Sequence, residues 1–507
     1  MIEPALRLET EVQPTTRRLN LLPLLVVFCA GINLILVQWI LVRELTALLL
    51  GTELVTLLVS IAYFAGLSVG YKLSSRIRRG WLAPLALITL VLHLTLPVWF
   101  RLLVVGLSSR GIYWAAFIVL PLATALLVPA FYSVFLPLMV DNDGESLPRV
   151  YALELLGSAV GVVGLIVLGG ISVQAVYVLY VLGAIGILLA LRTSPGWIIA
   201  AGLISAAWLL IFPAANGWSN TLWYEQMVHL PDGTTTLFTG YSPYQKVDVL
   251  ETPTGARYLF LDGLEHFGSS DGTRLNVAMG QIPASLVKPA NALVVGAGSM
   301  QMAALIADNA GLVTTVEIDP MVVDASERYF DSVNRMSTLT NRRIVIDDAK
   351  HFVANSADHY DLVAMDIPAA YSLQTATLYS SPFYGAIAQH LNPDGILVAN
   401  LTSTFSPTSL TSRRIAASLL ANFTDVMVYT PQSAGWSFAL ASNHLTIDRD
   451  ALTAALQASG EAQFVIYETS AVRAIVGSAP PITLDSMDIV LQTSARWISD
   501  RWRGGSS

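Results

Sequence analysis

The sequence predicts a multi-span α-helical membrane domain, then a small β-rich subdomain, then an α/β domain built on a doubly wound sheet. Three observations predict this order. Hydrophobic residues make up 54% of the 507 and charged residues 13%, against roughly 25% charged in ordinary soluble domains. The deficit is confined to the first half: Gly111–Val140 and Leu155–Leu191 carry no charge, whereas charge returns from about Trp218 onward. After that point, short alternating runs give way to a regular strand–helix alternation. The boundaries expected are 1–214 for the membrane domain, 215–290 for the β-rich subdomain, 291–445 for the α/β domain and 446–507 for a C-terminal tail packing on it, its last residues Gly504–Ser507 disordered.

Hydrophobic runs occur at about 21–42, 52–72, 82–105, 112–140, 152–171, 173–191 and 196–214. Each approaches the ~20 apolar residues needed to cross a bilayer. The fourth contains Pro121, Pro129 and Pro137 and is expected to be kinked or broken. The first run is too long for a cleaved signal and others follow it. Arg17, Arg18 and the loop bearing Lys72, Arg76, Arg78 and Arg79 place the N-terminus in the cytoplasm, and Arg192 agrees. Arg43, Glu44, Glu53 and Glu154 lie in or beside apolar runs, where a charge marks either a functional site or a membrane edge.

The β-rich stretch is read from Thr234–Thr239, Lys246–Glu251 and Arg257–Asp262, alternating runs separated by Gly, Pro and Asp turns. Strands then follow at Ala292–Val295, Val313–Ile318, Arg343–Ile346, Asp361–Met365 and Gly395–Asn400, with helices between, including one from Pro320 to about Phe330. Such alternation means a parallel sheet whose ligands sit beyond the carboxyl ends of its strands.

Composition excludes several classes. The net charge is −8 and no basic run appears, so nucleic acid is not an expected partner. The single cysteine, Cys29, lies in an apolar run and reads as a small buried residue. No Cys/His spacing suggests a metal.

Gly296-Ala297-Gly298 follows a strand and opens a helix, where free N–H groups and a close backbone approach suit a ligand. Gln301 stands where a dinucleotide fingerprint has its third glycine, which argues against a dinucleotide. Glu317 ends the second strand and can accept from both ribose hydroxyls. Asp348 follows the third, placed to accept from an adenine amino group, and Asp366 ends the fourth. Any one of these acids alone reads as a solvated loop residue. Three at successive strand ends behind a glycine turn read as an adenosine site in a Rossmann-like domain.

The soluble half resembles the spermidine synthases (polyamine aminopropyltransferases). The resemblance rests on Ser242-Pro243-Tyr244-Gln245-Lys246-Val247, Leu259–Gly263, Gly296-Ala297-Gly298, Val316-Glu317-Ile318-Asp319, Asp348-Ala349, Met365-Asp366, Leu378-Tyr379 with Phe383-Tyr384, and Gly435-Trp436-Ser437-Phe438, in family order over about 200 residues. The segments Val37-Gln38-Trp39, Arg43-Glu44-Leu45, Gly51-Thr52 and Gly66–Gly70 resemble the membrane region fused to some bacterial members.

The resemblance implies a class I methyltransferase-like fold. It implies that Gln245, Gly296, Gly298, Ser299, Glu317, Asp348 and Ala349 hold S-adenosylmethionine or its decarboxylated form, with no metal. Asp366 would be the acid beside the reacting amine, Tyr244 would act with it, and Tyr244 and Trp436 would shape the pocket. The expected reaction moves an aminopropyl or 3-amino-3-carboxypropyl group and releases 5′-methylthioadenosine. The implied partners are the lipid bilayer, a small-molecule amine or other nucleophile acceptor, and, as an option, a second copy of the chain.

The departures from the family pattern fall on the acceptor side and the donor's far end. Ser299 stands where the family has an aspartate meeting the donor's amine, Ala369 replaces a second aspartate, and Asp271–Val277 keeps the first aspartate of the family's acidic stretch but lacks its other acids. Ser299 at a helix N-terminus would suit the carboxylate of intact S-adenosylmethionine. Three alternatives stay open: a methyltransferase, intramolecular cleavage or cyclisation of the donor, and a non-catalytic nucleoside-gated sensor or transporter. Seven spans from a cytoplasmic start would put the soluble half outside the cell, whereas the donor is cytosolic. The expectation is therefore a count off by one in the 82–140 stretch, with the soluble domain cytoplasmic at a bacterial-type inner membrane.

Overall fold

The structure, a computed structural model, describes all residues except 1–20, 50–52, 141–146, 170–171, 271–272, 297 and 503–507. Arg17 and Arg18, Gly51 and Thr52, Asp271 and Gly272, Ala297 and Gly504–Ser507 therefore lie outside the described residues.

The first half is a bundle of α1 (Leu21–Leu49), α2 (Glu53–Leu73), α3 (Leu82–Leu94), α4 (Leu96–Ser108), α5 (Leu120–Ser133), α6 (Phe135–Met139), α7 (Leu147–Gly169), α8 (Val173–Ala190) and α9 (Pro195–Met227). Among the described residues six helical segments are long and apolar enough to cross a membrane, and the pair α3–α4 makes a seventh if its two halves, bent by 68°, form one span. At 13 residues each, α3 and α4 are about 20 Å long, short of the ~30 Å hydrocarbon core. The bend falls at Thr95, just before Pro97, which has no N–H to continue the ladder. The proline-rich fourth run is broken as expected: one π-type turn at Ala115–Val119, then α5, then α6 after Val134. The last run continues past 214 to Met227 as part of α9, so the helix projects beyond its apolar stretch.

Two charged residues within the bundle form an ion pair. The Arg101 guanidinium donates to both Glu44 oxygens at 3.1 and 2.8 Å, and also to Asn216 Oδ1 at 2.8 Å, Ser219 Oγ at 3.1 Å and the Tyr241 hydroxyl at 3.2 Å. Both side chains are about 1–2% exposed. Glu44 is thus a buried structural partner rather than a membrane-edge residue, because Arg101, distant in sequence, neutralises it. A second buried set follows: Lys246 donates to Asp248 (2.8 Å) and Asn220 (2.6 Å), and Tyr224 donates to Asp248 (2.7 Å). These two sets join α1, α4 and α9 to the first strands of the second half.

Strands β1 (Thr235–Tyr241), β2 (Lys246–Glu251), β3 (Arg257–Leu261) and β4 (Leu264–Gly268) form an antiparallel meander. The fourth follows a tight turn at Asp262-Gly263 and was not anticipated from the sequence. Gly263 is needed there: its φ is +75°, and a Cβ would lie 2.0 Å from the Ala47 carbonyl at the end of α1.

The larger sheet contains β5 (Asn291–Val295), β6 (Leu312–Glu317), β7 (Arg342–Ile346), β8 (Tyr360–Met365), β9 (Leu391–Asn400), β10 (Asp425–Pro431), β11 (Phe438–Ser442) and β12 (Phe464–Tyr467), in the order β12-β10-β11-β9-β8-β5-β6-β7. From β9 to β7 all pairs are parallel, as expected; β11, β10 and β12 add an antiparallel flank, so the sheet is mixed. β12 lies within 446–507, so this segment extends the sheet rather than merely packing on it. Apolar side chains from both faces form two cores, one under Leu293, Val363 and Leu397 and one under Val294, Ala364 and Val398. Strand order reverses between β5 and β8, which opens a crevice at their carboxyl ends.

Candidate active site

The residues after β8, β5, β6 and β7 line this crevice side by side because the ladder runs on past the strand ends. Asp366 N–H donates to Val295 O (2.8 Å), Gly296 N–H to Val316 O (2.9 Å) and Asp347 N–H to Glu317 O (3.0 Å). Gly296 has φ +90°, and a Cβ there would lie 2.0 Å from the Asp366 carbonyl oxygen. The glycine turn and Asp366 therefore occupy one spot, which no larger residue at 296 would permit.

A cavity of about 370 Å³ opens here, a size suited to a small molecule. Tyr244, Gln245, Gly296, Gly298, Glu317, Asp348, Ala349 and Asp366 all line it. Each acid is held in place. Glu317 is buried and its Oε1 accepts the Asp319 N–H at 2.9 Å. Asp348 caps the helix Ala349–Asn355 by accepting the Lys350 N–H at 2.8 Å. Asp366 is half-buried, and burial pushes its carboxyl up to about 6. The loop after it is held by the buried Tyr379 hydroxyl, which lies 3.0 Å from the Ile367 carbonyl and 3.1 Å from that of Pro368.

The meander supplies the facing wall. Asp319 Oδ2 accepts from Ser242 Oγ (2.6 Å) and from Gln245 Nε2 (3.2 Å), tying the Ser242–Gln245 segment to the sheet domain and turning Gln245 toward the crevice. The Arg43 guanidinium, at the end of α1, donates to the Tyr244 carbonyl (2.7 Å) and to that of Pro243.

Two expected residues are not in the wall. Ser299 is 4% exposed and its Oγ accepts the Gln301 N–H at 3.3 Å. It lies beneath the glycine turn because the turn closes with Met300 in a left-handed conformation, φ +60°, before the helix begins. Trp436 packs against the core that includes Phe438 and Tyr429 instead of lining the cavity. Ala369, the position that lacks an acid, is buried.

The sequence reading missed several lining residues. Asp262 and His266 come from the turn and strand of the meander; burial raises the Asp262 carboxyl to about 6 and lowers the His266 imidazole to about 4. Val42, Arg43, Thr46, Glu53 and Thr56 come from α1 and α2. Arg43 and Glu53 carried a signal as charges beside apolar runs, and Asp262 as part of Leu259–Gly263. No local pattern connects them to Asp366. No group of His, Cys, Asp and Glu among the described residues could hold a metal.

The arrangement can hold a small molecule with a protonatable carboxylate at one end. Residues 275–451 match the spermine/spermidine synthase domain. Relatives include the polyamine aminopropyltransferase of Oceanobacillus iheyensis, 27% identical over 46% of this chain and 46% of that one. That of Thermoplasma volcanium is 30% identical over 39% of this chain and 75% of that one. The chain thus spans about half the length of the first relative. Among solved structures, a spermidine synthase in complex with the transition-state analogue AdoDATO aligns at 19% identity and a TM-score of 0.40, over 48% of this chain and 88% of that one. By sequence, the chain belongs to the polyamine aminopropyltransferase family.

Proposed function

We propose that this protein is a membrane-embedded transferase that moves an aminopropyl group from decarboxylated S-adenosylmethionine to an amine and releases 5′-methylthioadenosine. The observation that carries the reading is the shared cavity in which Glu317, Asp348, Gln245 and the glycine turn stand beside Asp366. Glu317 would accept from the ribose diol and Asp348 from the adenine amino group. The acceptor nitrogen attacks the propyl carbon bound to sulfur, the C–S bond breaks, and its electron pair stays on sulfur as a neutral thioether. The attacking nitrogen then holds an extra proton, which Asp366 can take as a base.

The donor's chemistry follows from the wall. Glu53, Asp262, Glu317, Asp347, Asp348 and Asp366 line the cavity against two cations, Arg43 and Lys350. Arg43 is hydrogen-bonded to backbone carbonyls and Lys350 lies 3.7 Å from Asp348. A donor with an ammonium and no carboxylate suits this balance. Ser299 gives intact S-adenosylmethionine no carboxylate partner, because its side chain is buried and does not line the cavity. The apolar helices support a bilayer as the surroundings of the first half.

The test is to incubate the detergent-purified full chain with decarboxylated or intact S-adenosylmethionine and 1,4-diaminobutane, and to identify the nucleoside by mass spectrometry. 5′-Methylthioadenosine from the decarboxylated donor is expected. S-adenosylhomocysteine from the intact donor would overturn the reading in favour of methyl transfer.

A further inference from the structure

The cavity wall that faces the sheet domain is partly built by the first half of the chain. Val42, Arg43 and Thr46 on α1 and Glu53 and Thr56 on α2 line it. The Glu53 N–H donates to the Tyr371 carbonyl at 3.0 Å. Tyr371 lies in the loop that follows Asp366, so this bond pins the first turn of α2 at the reacting end of the cavity rather than the nucleoside end. The Glu53 side chain is half-buried and makes no salt bridge among the described residues. The two cations of the wall are otherwise engaged, as above. Among the described residues, Glu53 therefore offers the cavity a negative charge with no cation partner.

We propose that Glu53 binds the ammonium of a cationic amine acceptor, so that the α1–α2 hairpin completes the acceptor end of the site. This rests on the transferase reading given above. An acceptor with two nitrogens could then leave one on Glu53 while the other faces Asp366. The Glu53 carboxylate also complements the helix N-terminus, but that role alone would not touch amine affinity.

Calorimetry on the full chain in detergent tests this. Protein saturated with 5′-methylthioadenosine, which lacks the propyl chain, is titrated with 1,4-diaminobutane. Glu53→Gln should weaken diamine binding about 10- to 100-fold, the loss of one charge-assisted hydrogen bond, with 5′-methylthioadenosine affinity unchanged, and Glu53→Asp should retain part of it. Equal diamine affinity in wild type and Glu53→Gln overturns the proposal. Weakened binding of the decarboxylated donor with diamine binding intact also overturns it, placing the charge on the donor. Failure of the wild type to bind 5′-methylthioadenosine would instead overturn the transferase reading, and this one with it.

A different observation carries a second inference, the side of the membrane on which the soluble half lies. Leu22 near the start of α1 and Trp197 near the start of α9 line the same cavity at one end of the bundle. At the other end Glu44 of α1 and Asn216 of α9 meet on Arg101. The two helices thus run in the same sense, toward the soluble half. The number of crossings from α1 through α9 is odd, and Leu21 lies on the face away from the catalytic domain. On that same face Gly80, Leu82, Leu138 and Arg192 line the cavity, which places the exposed Lys72, Arg76, Arg78 and Arg192 there. Arg149 joins them, since Val150 packs on Val27 and Leu136. On the opposite face the described connections between spans carry only Arg110.

Basic loops mark the cytoplasmic side. We infer that the catalytic domain faces away from the cytoplasm, opposite to the placement expected from a cytosolic donor. This rests on the first half spanning a bilayer. In a Cys29→Ser background, single cysteines at Asp232, exposed in the soluble half, and at Arg192 are labelled in intact cells with a membrane-impermeant maleimide. Asp232→Cys should label in intact cells and Arg192→Cys after lysis. The reverse pattern overturns the orientation. Equal labelling with release of the chain by carbonate overturns membrane insertion itself, and the orientation with it.

Discussion

Replacing Asp366 with Asn separates a residue kept for chemistry from one kept for stability. Burial raises this carboxyl from its usual 3.8 to about 6, so the folded protein disfavours its charge. A group raised in this way favours folding below pH 4, and that contribution is lost as pH rises through 6. Two pH units correspond to ~3 kcal/mol at neutral pH, reduced to ~1–2 because the group is half-buried and water reaches it. Asp366→Asn removes the charge at nearly constant shape. It should melt at a higher temperature than wild type at pH 7.5, with the gap narrowing as pH falls and closing below pH 4. Turnover should fall about 10²–10⁴-fold, the range for losing a general base. Wild-type turnover should drop about tenfold between pH 7 and pH 5 as the carboxylate protonates, and the variant should lack that acid limb. The measurements are thermal melts in detergent and release of 5′-methylthioadenosine at saturating donor. Near-normal turnover in the variant, or an acid limb that survives in it, would refute the argument.

Further outcomes follow from the same structure. Glu317→Ala should weaken 5′-methylthioadenosine binding by at least tenfold in calorimetry, since hydrogen bonds to a charged group contribute about 1.5–3 kcal/mol each; unchanged affinity would remove the nucleoside assignment. Ser299→Ala should leave the ratio of turnover on the two donors within about twofold, and a swing toward the decarboxylated donor would restore the discarded role for that residue. Glu44→Ala strands the Arg101 guanidinium inside the bundle, a loss of about 3–5 kcal/mol, and should cut the yield of monodisperse protein in size-exclusion chromatography. Glu44→Ala combined with Arg101→Met should recover part of that yield, whereas equal yields for all three chains would deny the pair a structural role.

Much of the fold of the second half was legible because its signals are local. A strand buried on both faces, such as Leu293–Val295 or Leu362–Met365, is a short apolar run, and a glycine turn followed by an acid at each strand end announces a crevice. The strands β10 to β12 were harder: they pair antiparallel with partners set by long-range contacts, and β12 follows a helix in a segment that looked like a tail. The seven apolar runs were visible from length and composition. The physical pairing of Glu44 with Arg101, 57 positions apart, was not, since nothing in either neighbourhood names the other.

By itself the sequence determined that this protein has an apolar helical half and a half of alternating strands and helices with a glycine turn and acids at its strand ends, because hydropathy, strand ends and glycine turns are properties of neighbouring residues. Tertiary structure alone decided that Ser299 lies beneath its turn, since a left-handed residue at Met300 turns it inward. It likewise decided that the site is shared, because Arg43 and Glu53 reach the cavity through the packing of α1 and α2 on the Tyr244 and Tyr371 backbones. Those contacts join segments about 200 and 320 residues apart, and only the folded packing of the two halves brings them together.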